Sequence, residues 1–308
     1  MVSFLCAAVI AGMPLLFATL GELITEKAGN LNLGVEGMML MGASCGFIAG
    51  YITGNPIAAI LAAIIAGGIG AAIYAFLTIT LMSNQVVTGL ALTIFGTGFA
   101  SFVGKDYVGK VLPDTIKTFF MKVEIPGLSD IPVIGPMFFK QDIFAYGGYV
   151  IIILISIYLY KTRKGLNLRA VGENAASADA SGINVTLYKY VHILIGGALC
   201  GLGGAYMSLV TVPVWQEGVT GGRGWIAVAL VIFASWNPVK AFAGSLLFGG
   251  LSILGIRLQS MGIHISQYLV DMLPYLATVV VLILSTYKSR KEDQPPKDLG
   301  NAYFREER

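Results

Sequence analysis

The 308 residues carry a formal net charge of +3, are 56% hydrophobic and 12% charged, and have a mean hydropathy of +0.77. Soluble domains carry about 25% charged residues, so the composition excludes an ordinary soluble domain. The small net charge gives no footing for nucleic acid, and the chain is expected to be an all-α integral membrane protein.

The first charge is Glu22, and no basic residue precedes the opening apolar run, which therefore lacks the pattern of a cleaved secretory signal. Residues 3–21 are read as a retained first span. A spanning helix needs about 20 mostly apolar residues. Further stretches of that kind lie at 33–52, 57–82, 86–103, 142–160, 190–212, 238–256 and 265–286. The shorter run 224–236 is counted as a broken or short crossing, so the chain has about eight or nine transmembrane helices. Cys6, Cys45 and Cys200 sit far apart in apolar stretches and are read as small hydrophobes.

Orientation follows the Lys and Arg flanks. Lys161, Arg163, Lys164 and Arg169 in one stretch, and Lys288, Arg290 and Lys291 after the last span, place both segments in the cytoplasm. Lys27 and Lys240 then fall inside and the N-terminus outside. The loop 104–141 is external on this layout, although it carries Lys105, Lys110, Lys117, Lys122 and Lys140 beside Asp106, Asp114, Glu124 and Asp130.

Residues 55–68 (NPIAAILAAIIAGG) align with 237–250 (NPVKAFAGSLLFGG), an offset that also sets Gln85 on Gln267. The two Asn-Pro corners fall on opposite sides of the membrane, as in an inverted internal repeat, and such repeats place a pathway at their interface. The expected organisation is a transmembrane domain over 1–287 and a cytoplasmic tail over 288–308. Within the domain, a first repeat covers 3–103, the external loop 104–141, a linking span 142–160, a cytoplasmic loop 161–189 and a second repeat 190–286. Gly42, Gly46, Gly50 and Gly54, like Gly197 and Gly201, recur every four residues, the spacing that lets helix backbones approach in lipid.

Polar residues at membrane depth mark the candidate pathway, because a carboxylate at mid-bilayer costs roughly 2.5–3.5 kcal/mol. Asn30, Asn32 and Glu36 lie in GNLNLGVEG (29–37), expected to be a broken segment turned toward a cavity. Glu36 either lines the pathway or holds the break through freed backbone amides. Asn84, Gln85 and Thr88 open the fourth span, as ligand-facing groups or as a helix cap; Gln267 and Asp271 lie in the last one. Amides and hydroxyls suit a neutral polar ligand such as a nucleoside or sugar. Aromatic belts account for most Trp and Tyr residues. Trp215, in the Gly-rich stretch 213–224, is also considered for stacking on a base.

No G-x-x-x-x-G-K-[ST] run occurs, which argues against a Walker A loop, and no H-E-x-x-H or Cys/His cluster supports a metal. The segment 163–184, RKGLNLRAVGENAASADASGIN, is read as a short surface helix with alanines bounded by Gly172 and Gly182. It closely resembles the coupling loop of ABC permeases of the ribose, nucleoside and branched-chain amino acid group. GELITEKAGNLNLGVEGMMLMGA (21–43) and GGRGWIAVALVIFASWNP (221–238) resemble motifs of the shorter permease subunit of the nucleoside type.

The resemblance implies a non-enzymatic import subunit of a bacterial inner membrane. It implies a second permease, an extracytoplasmic binding protein, and a cytoplasmic ATPase that holds the ATP and Mg, with no cofactor on this chain. Gly172, Glu173, Asn174, Ser177 and Gly182 would belong to the ATPase-coupling helix, and loop 104–141 would help to dock the binding protein. Purine nucleosides are the implied substrate, with simple sugars or riboflavin-like compounds as the alternative. An ion-coupled transporter using Glu36 and Asp271 competes with this reading, and a membrane-embedded enzyme finds no acid, base or metal cluster.

Overall fold

A computed structural model describes residues 2–260, 266–287 and 294–305. The helices are α1 (Val2–Lys27), α2 (Val35–Thr53), α3 (Pro56–Ala75), α4 (Gln85–Gly104), α5 (Asp114–Phe119), α6 (Ile134–Phe138), α7 (Ile143–Lys161), α8 (Arg163–Glu173), α9 (Ala175–Ala180), α10 (Val185–Tyr206), α11 (Arg223–Phe233), α12 (Pro238–Ser260) and α13 (Gln267–Tyr287). Short π-helical turns extend α3 through Thr80 and α10 through Thr211. Among the described residues, six helices are long and apolar enough to cross a membrane. Strands β1 (Lys122–Glu124) and β2 (Lys140–Asp142) form an antiparallel pair between α4 and α7.

Local chemistry explains where several helices begin. Asn55 Oδ1 accepts from Ile57 N (2.9 Å), with Pro56 as the first helical residue of α3. Asn237 Oδ1 does the same for Val239 N (2.9 Å) ahead of α12, which starts at Pro238. The offset of 182 residues therefore relates two helix starts with one cap chemistry, and it also relates Gln85, which opens α4, to Gln267, which opens α13.

The packing repeats in the same way. α10 lies against α3 as α1 lies against α12, and α2 lies against α4 as α11 lies against α13. A Cβ on Gly67 of α3 would sit 2.2 Å from the Gly197 carbonyl oxygen of α10, and one on its counterpart Gly249 would sit 2.4 Å from the Ala8 carbonyl oxygen of α1. With no hydrophobic drive between helices in lipid, such backbone contact is what holds a bundle together. Gly42 also meets Gly201, whereas Gly46 and Gly50 face Ala63 and Ala59, and Gly54 ends α2 at φ +63°.

The bundle has two ends. At one, Val111 bridges Val214, Leu112 N donates to Pro213 O (3.0 Å) and Thr115 Oγ1 to Gly54 O (3.0 Å), gathering 53–55, 105–142 and 212–217. At the other, Gly29, Gly172 and Gly300 meet, gathering 28–34, 81–84, 162–184 and 294–305. The Asn-Pro corners fall at opposite ends: Asn55 beside Gly54, and Asn237 next to Trp236, whose indole nitrogen donates to Glu26.

Three expected boundaries move. α1 runs to Lys27 instead of stopping at 21, with Glu22 and Glu26 both buried in it. α10 begins at Val185, not 190, because Asn184 Oδ1 caps it through Leu187 N (3.0 Å). The short run near 224–236 is α11, eleven residues long, or about 16 Å at 1.5 Å per residue. That is half of a roughly 30 Å hydrocarbon core. The stretch 212–222 ahead of it is non-helical, with one isolated bridge at Val214 and turns over 217–222.

Candidate functional site

The turn between α1 and α2 is a buried polar knot. Asn32 N donates to Glu22 Oε1 (3.0 Å), and Asn32 Oδ1 accepts from Gly34 N (2.9 Å). Tyr74 OH donates to Leu31 O (2.6 Å), Leu31 N to Gln85 Oε1 (2.7 Å), and Thr93 Oγ1 to Leu33 O (2.9 Å). Every freed backbone group of this turn that these bonds reach would otherwise cost free energy away from water. The segment is thus broken as expected, but it lies at the end of the bundle, where its polar side chains stitch α1, α2, α3 and α4 together. Asn30 is buried with neither side-chain atom hydrogen-bonded, and Glu22 Oε2 is likewise unpartnered.

Of the residues opening α4, Asn84 is the helix cap, accepting from Val87 N (3.0 Å). Thr88 is buried and donates to Asn84 O (2.8 Å). Gln85 bridges Leu31 and Asn301, its amide nitrogen 3.3 Å from the Asn301 oxygen. The cap alternative therefore describes Asn84, while Thr88 bonds back to the Asn84 carbonyl and Gln85 bridges two segments.

Glu36 lies in the first turn of α2, apart from this knot. Its Oε1 accepts from Thr220 Oγ1 (2.6 Å) and Gly222 N (2.9 Å), and its Oε2 from Gly224 N (2.6 Å). These amides open α11 inside the bundle, where an unpaired helix N-terminus needs an anionic partner. Glu36 does hold a break, but that of α11, 184 to 188 residues away, and not its own. Arg223, beside it, donates from Nη1 to Thr220 O (3.1 Å).

Trp215 is buried against Phe47 (ring centroids 5.6 Å apart), and a Cβ on Gly104 would clash with its indole. The ring has no free face for a base, which corrects the stacking expectation. The side chains of Gln267 and Asp271 lie outside the described residues, as do His264, Lys288, Arg290 and Lys291.

The segment after α7 folds as two helices instead of one. α8 ends at Glu173, and Asn174 Oδ1 caps α9 through Ser177 N (2.8 Å). Gly172 and Glu173 belong to the last turn of α8, so the expected coupling helix from Gly172 to Gly182 is made of the end of α8 and of α9. Gly172 is buried against Lys27, where a Cβ would meet the Lys27 oxygen at 2.3 Å. Gly182 closes the turn after α9 at φ +83°, a left-handed conformation that suits glycine. Glu173, Asn174, Ala176, Ser177 and Ala180 are exposed, so α8 and α9 form a ledge on the end of the bundle.

Glu22, Glu26, Thr220 and Trp236 were missed by sequence reasoning as site residues. The four-residue spacing of Glu22 and Glu26, one helical turn apart, was the available signal. Among the described residues no group of His, Cys, Asp or Glu is arranged to hold a metal.

Residues 4–282 match the model of the branched-chain amino acid transport system / permease component family. The chain belongs to this family. It is a permease-type transport subunit of an ABC transporter, a multi-pass membrane protein whose apolar spans agree with that membership. It is 37% identical to "Putative glucose ABC transporter permease protein TsgC13" of Haloferax volcanii, covering 97% of both chains. It is 33% identical to the guanosine ABC transporter permease protein NupQ of Bacillus subtilis, over 90% of this chain and 89% of that one. Identity to the nucleoside ABC transporter permease protein NupC of Lactococcus lactis subsp. cremoris is also 33%, over 89% of each.

Proposed function

We propose that this permease subunit imports nucleosides, with purine nucleosides the preferred cargo, by forming a pathway with a second permease and taking its energy from a cytoplasmic ATPase. The observation that carries the coupling half of this reading is the exposed α8–α9 ledge, capped by Asn174, on a permease of this family. On this reading Asn174 and Ser177 meet the ATPase and Glu173 and Gly182 flank the contact. The ledge end and the C-terminus face the cytoplasm, and the 104–141 segment faces a substrate-binding protein outside. ATP and Mg are held by the partner, and this chain carries no cofactor.

The nucleoside preference is supported by the resemblance to NupQ and NupC. Sugar import is the second reading, favoured by the likeness to TsgC13.

The test is reconstitution with the second permease, ATPase and binding protein in liposomes, following ATP-dependent uptake of labelled guanosine and glucose. Guanosine uptake that requires ATP is the expected result. Glucose uptake alone would overturn the cargo, and uptake by this chain alone under an ion gradient would overturn the class of energy source.

A further inference from the structure

The span α4 measures how deep the start of α11 lies. A Cβ on Gly104, at one end of α4, would meet the Trp215 indole, and one on Gly96 would meet the Gly37 carbonyl oxygen at 2.5 Å. A Cβ on Gly224 would fall 2.5 Å from the Glu36 Cα, so the first turn of α11 is level with Gly96. Gly96 is eight residues from Gly104 and eleven from Gln85, about 12 Å and about 16 Å along the axis. α11 therefore opens near the middle of a span, and residues 216–221 connect that level to the end that holds Trp215.

This connection is neither helical nor covered. Gln216, Glu217, Gly218 and Gly221 are exposed, and Gly222, Arg223 and Trp225 partly so. Gly218, Gly221 and Gly222 all have positive φ, which suits glycine. Among the described residues no hydrogen bond reaches the backbone amides of Gln216, Glu217 or Gly218. α11 continues the exposed strip: Trp225, Val228, Ala229 and Ile232 share the face opposite the buried Ile226, Ala227, Leu230 and Val231. Irregular backbone open to lipid is not found in the hydrocarbon region; it occurs only inside protein or against a water-filled cavity.

The strip grades from polar to apolar. Gln216, Glu217 and the open amides lie toward the Trp215 end, Trp225 near mid-depth, and Val228, Ala229 and Ile232 beyond it. The amides of Gly222 and Gly224 are spent on the Glu36 carboxylate, so the strip offers no free helix end to an anion. Its chemistry suits a neutral molecule with one flat ring and several hydroxyls.

We propose that residues 216–225 are this subunit's cargo-contacting wall of the pathway. Trp225 stacks on the base of a nucleoside, while Gln216, Glu217 and the adjacent amides take its sugar hydroxyls. The wall assignment deepens the reading above of a pathway shared with a second permease, and the stacking role rests on the nucleoside cargo of that reading.

The test uses the complete transporter in liposomes. Gln216→Cys, Glu217→Cys and Val228→Cys are made separately and labelled with a water-borne, membrane-impermeant methanethiosulfonate. The unsubstituted chain, with Cys6, Cys45 and Cys200, gives the background. All three variants are expected to react above background, and guanosine delivered by the binding protein is expected to slow the reaction several-fold. Labelling in the chain alone but not in the complex would give the segment to the second permease and overturn the proposal, as would no labelling in either.

Trp225→Ala is expected to raise the KM for guanosine uptake about tenfold, the loss of one base–aromatic stack, and Trp225→Phe to restore most of it. An unchanged KM in Trp225→Ala overturns the stacking role. Should Trp225→Ala fail to assemble, Trp225→Leu, which keeps apolar bulk without a flat ring, is read in its place. A transporter that carries glucose and not guanosine would refute the cargo and the stacking together, whereas labelling of the strip and its protection by glucose would still decide the wall.

Discussion

Removing the Glu36 carboxylate tests whether it braces the fold or serves the cargo. Three donors converge on it: the Thr220 hydroxyl and the Gly222 and Gly224 amides, at 2.6–2.9 Å. Hydrogen bonds to a charged group contribute about 1.5–3 kcal/mol each, and stranding a buried donor costs about 1–3 kcal/mol. Contacts that act as a unit do not add, so Glu36→Ala is expected to destabilise the chain by roughly 3–6 kcal/mol. Glu36→Gln keeps one acceptor oxygen and turns an amino group toward the other donors, which should cost about 2 kcal/mol. Thr220→Val leaves both amide bonds in place and should cost about 1–2 kcal/mol.

The assay is thermal unfolding of the detergent-purified variants at one scan rate, together with hydrogen exchange across 222–233. The expected order of stability is wild type, then Thr220→Val, Glu36→Gln and Glu36→Ala, with exchange rising first at the start of α11. Wild-type stability in Glu36→Ala, combined with lost uptake, would refute the brace and give the carboxylate to the pathway.

Neighbouring glycines make a second comparison. Gly67→Ala drives a methyl to 2.2 Å from the Gly197 oxygen, whereas a Cβ at Gly68 meets nothing within 4 Å. Overpacking costs about 1–3 kcal/mol, so Gly67→Ala should lower the unfolding temperature and Gly68→Ala should leave it in place; equal behaviour of the two would contradict the α3–α10 contact. Asn174→Ala deletes the cap of α9, worth about 1 kcal/mol. It should speed exchange over 175–180 and lower the coupling of ATP hydrolysis to uptake while α10 exchange is unchanged. Normal coupling despite a frayed α9 would remove that helix from the proposed ATPase contact.

Much of the bundle was legible because the bilayer imposes a local rule. Twenty apolar residues in a row must be helical to satisfy their own backbone, and Asn-Pro corners announce a cap and a first turn. α2, α3, α4 and α7 follow those signals closely. The rule erred where charge was mistaken for an end. Glu22 suggested that the first helix was over, yet α1 continues through Glu26 because Asn32 and Trp236 come from elsewhere to receive those carboxylates. It erred again at 163–184, where one short surface helix was expected; the buried contact of Gly172 with Lys27 and the cap at Asn174 end α8 and start α9.

The sequence by itself determined that this is a membrane bundle with two related halves, and that its few buried polar residues must be matched by partners. Hydropathy, cap chemistry and residue offset are local or pairwise signals that survive without coordinates. Only the tertiary structure decided which partners those are: that Glu36 anchors α11 instead of its own turn, that Trp215 is packed shut, and that Asn32 and Trp236 reach Glu22 and Glu26. A buried charge fixes the need for a donor or acceptor, but any of many polar groups distant in sequence could supply it. Close backbone packing of α1, α3, α10 and α12 selects the ones within reach.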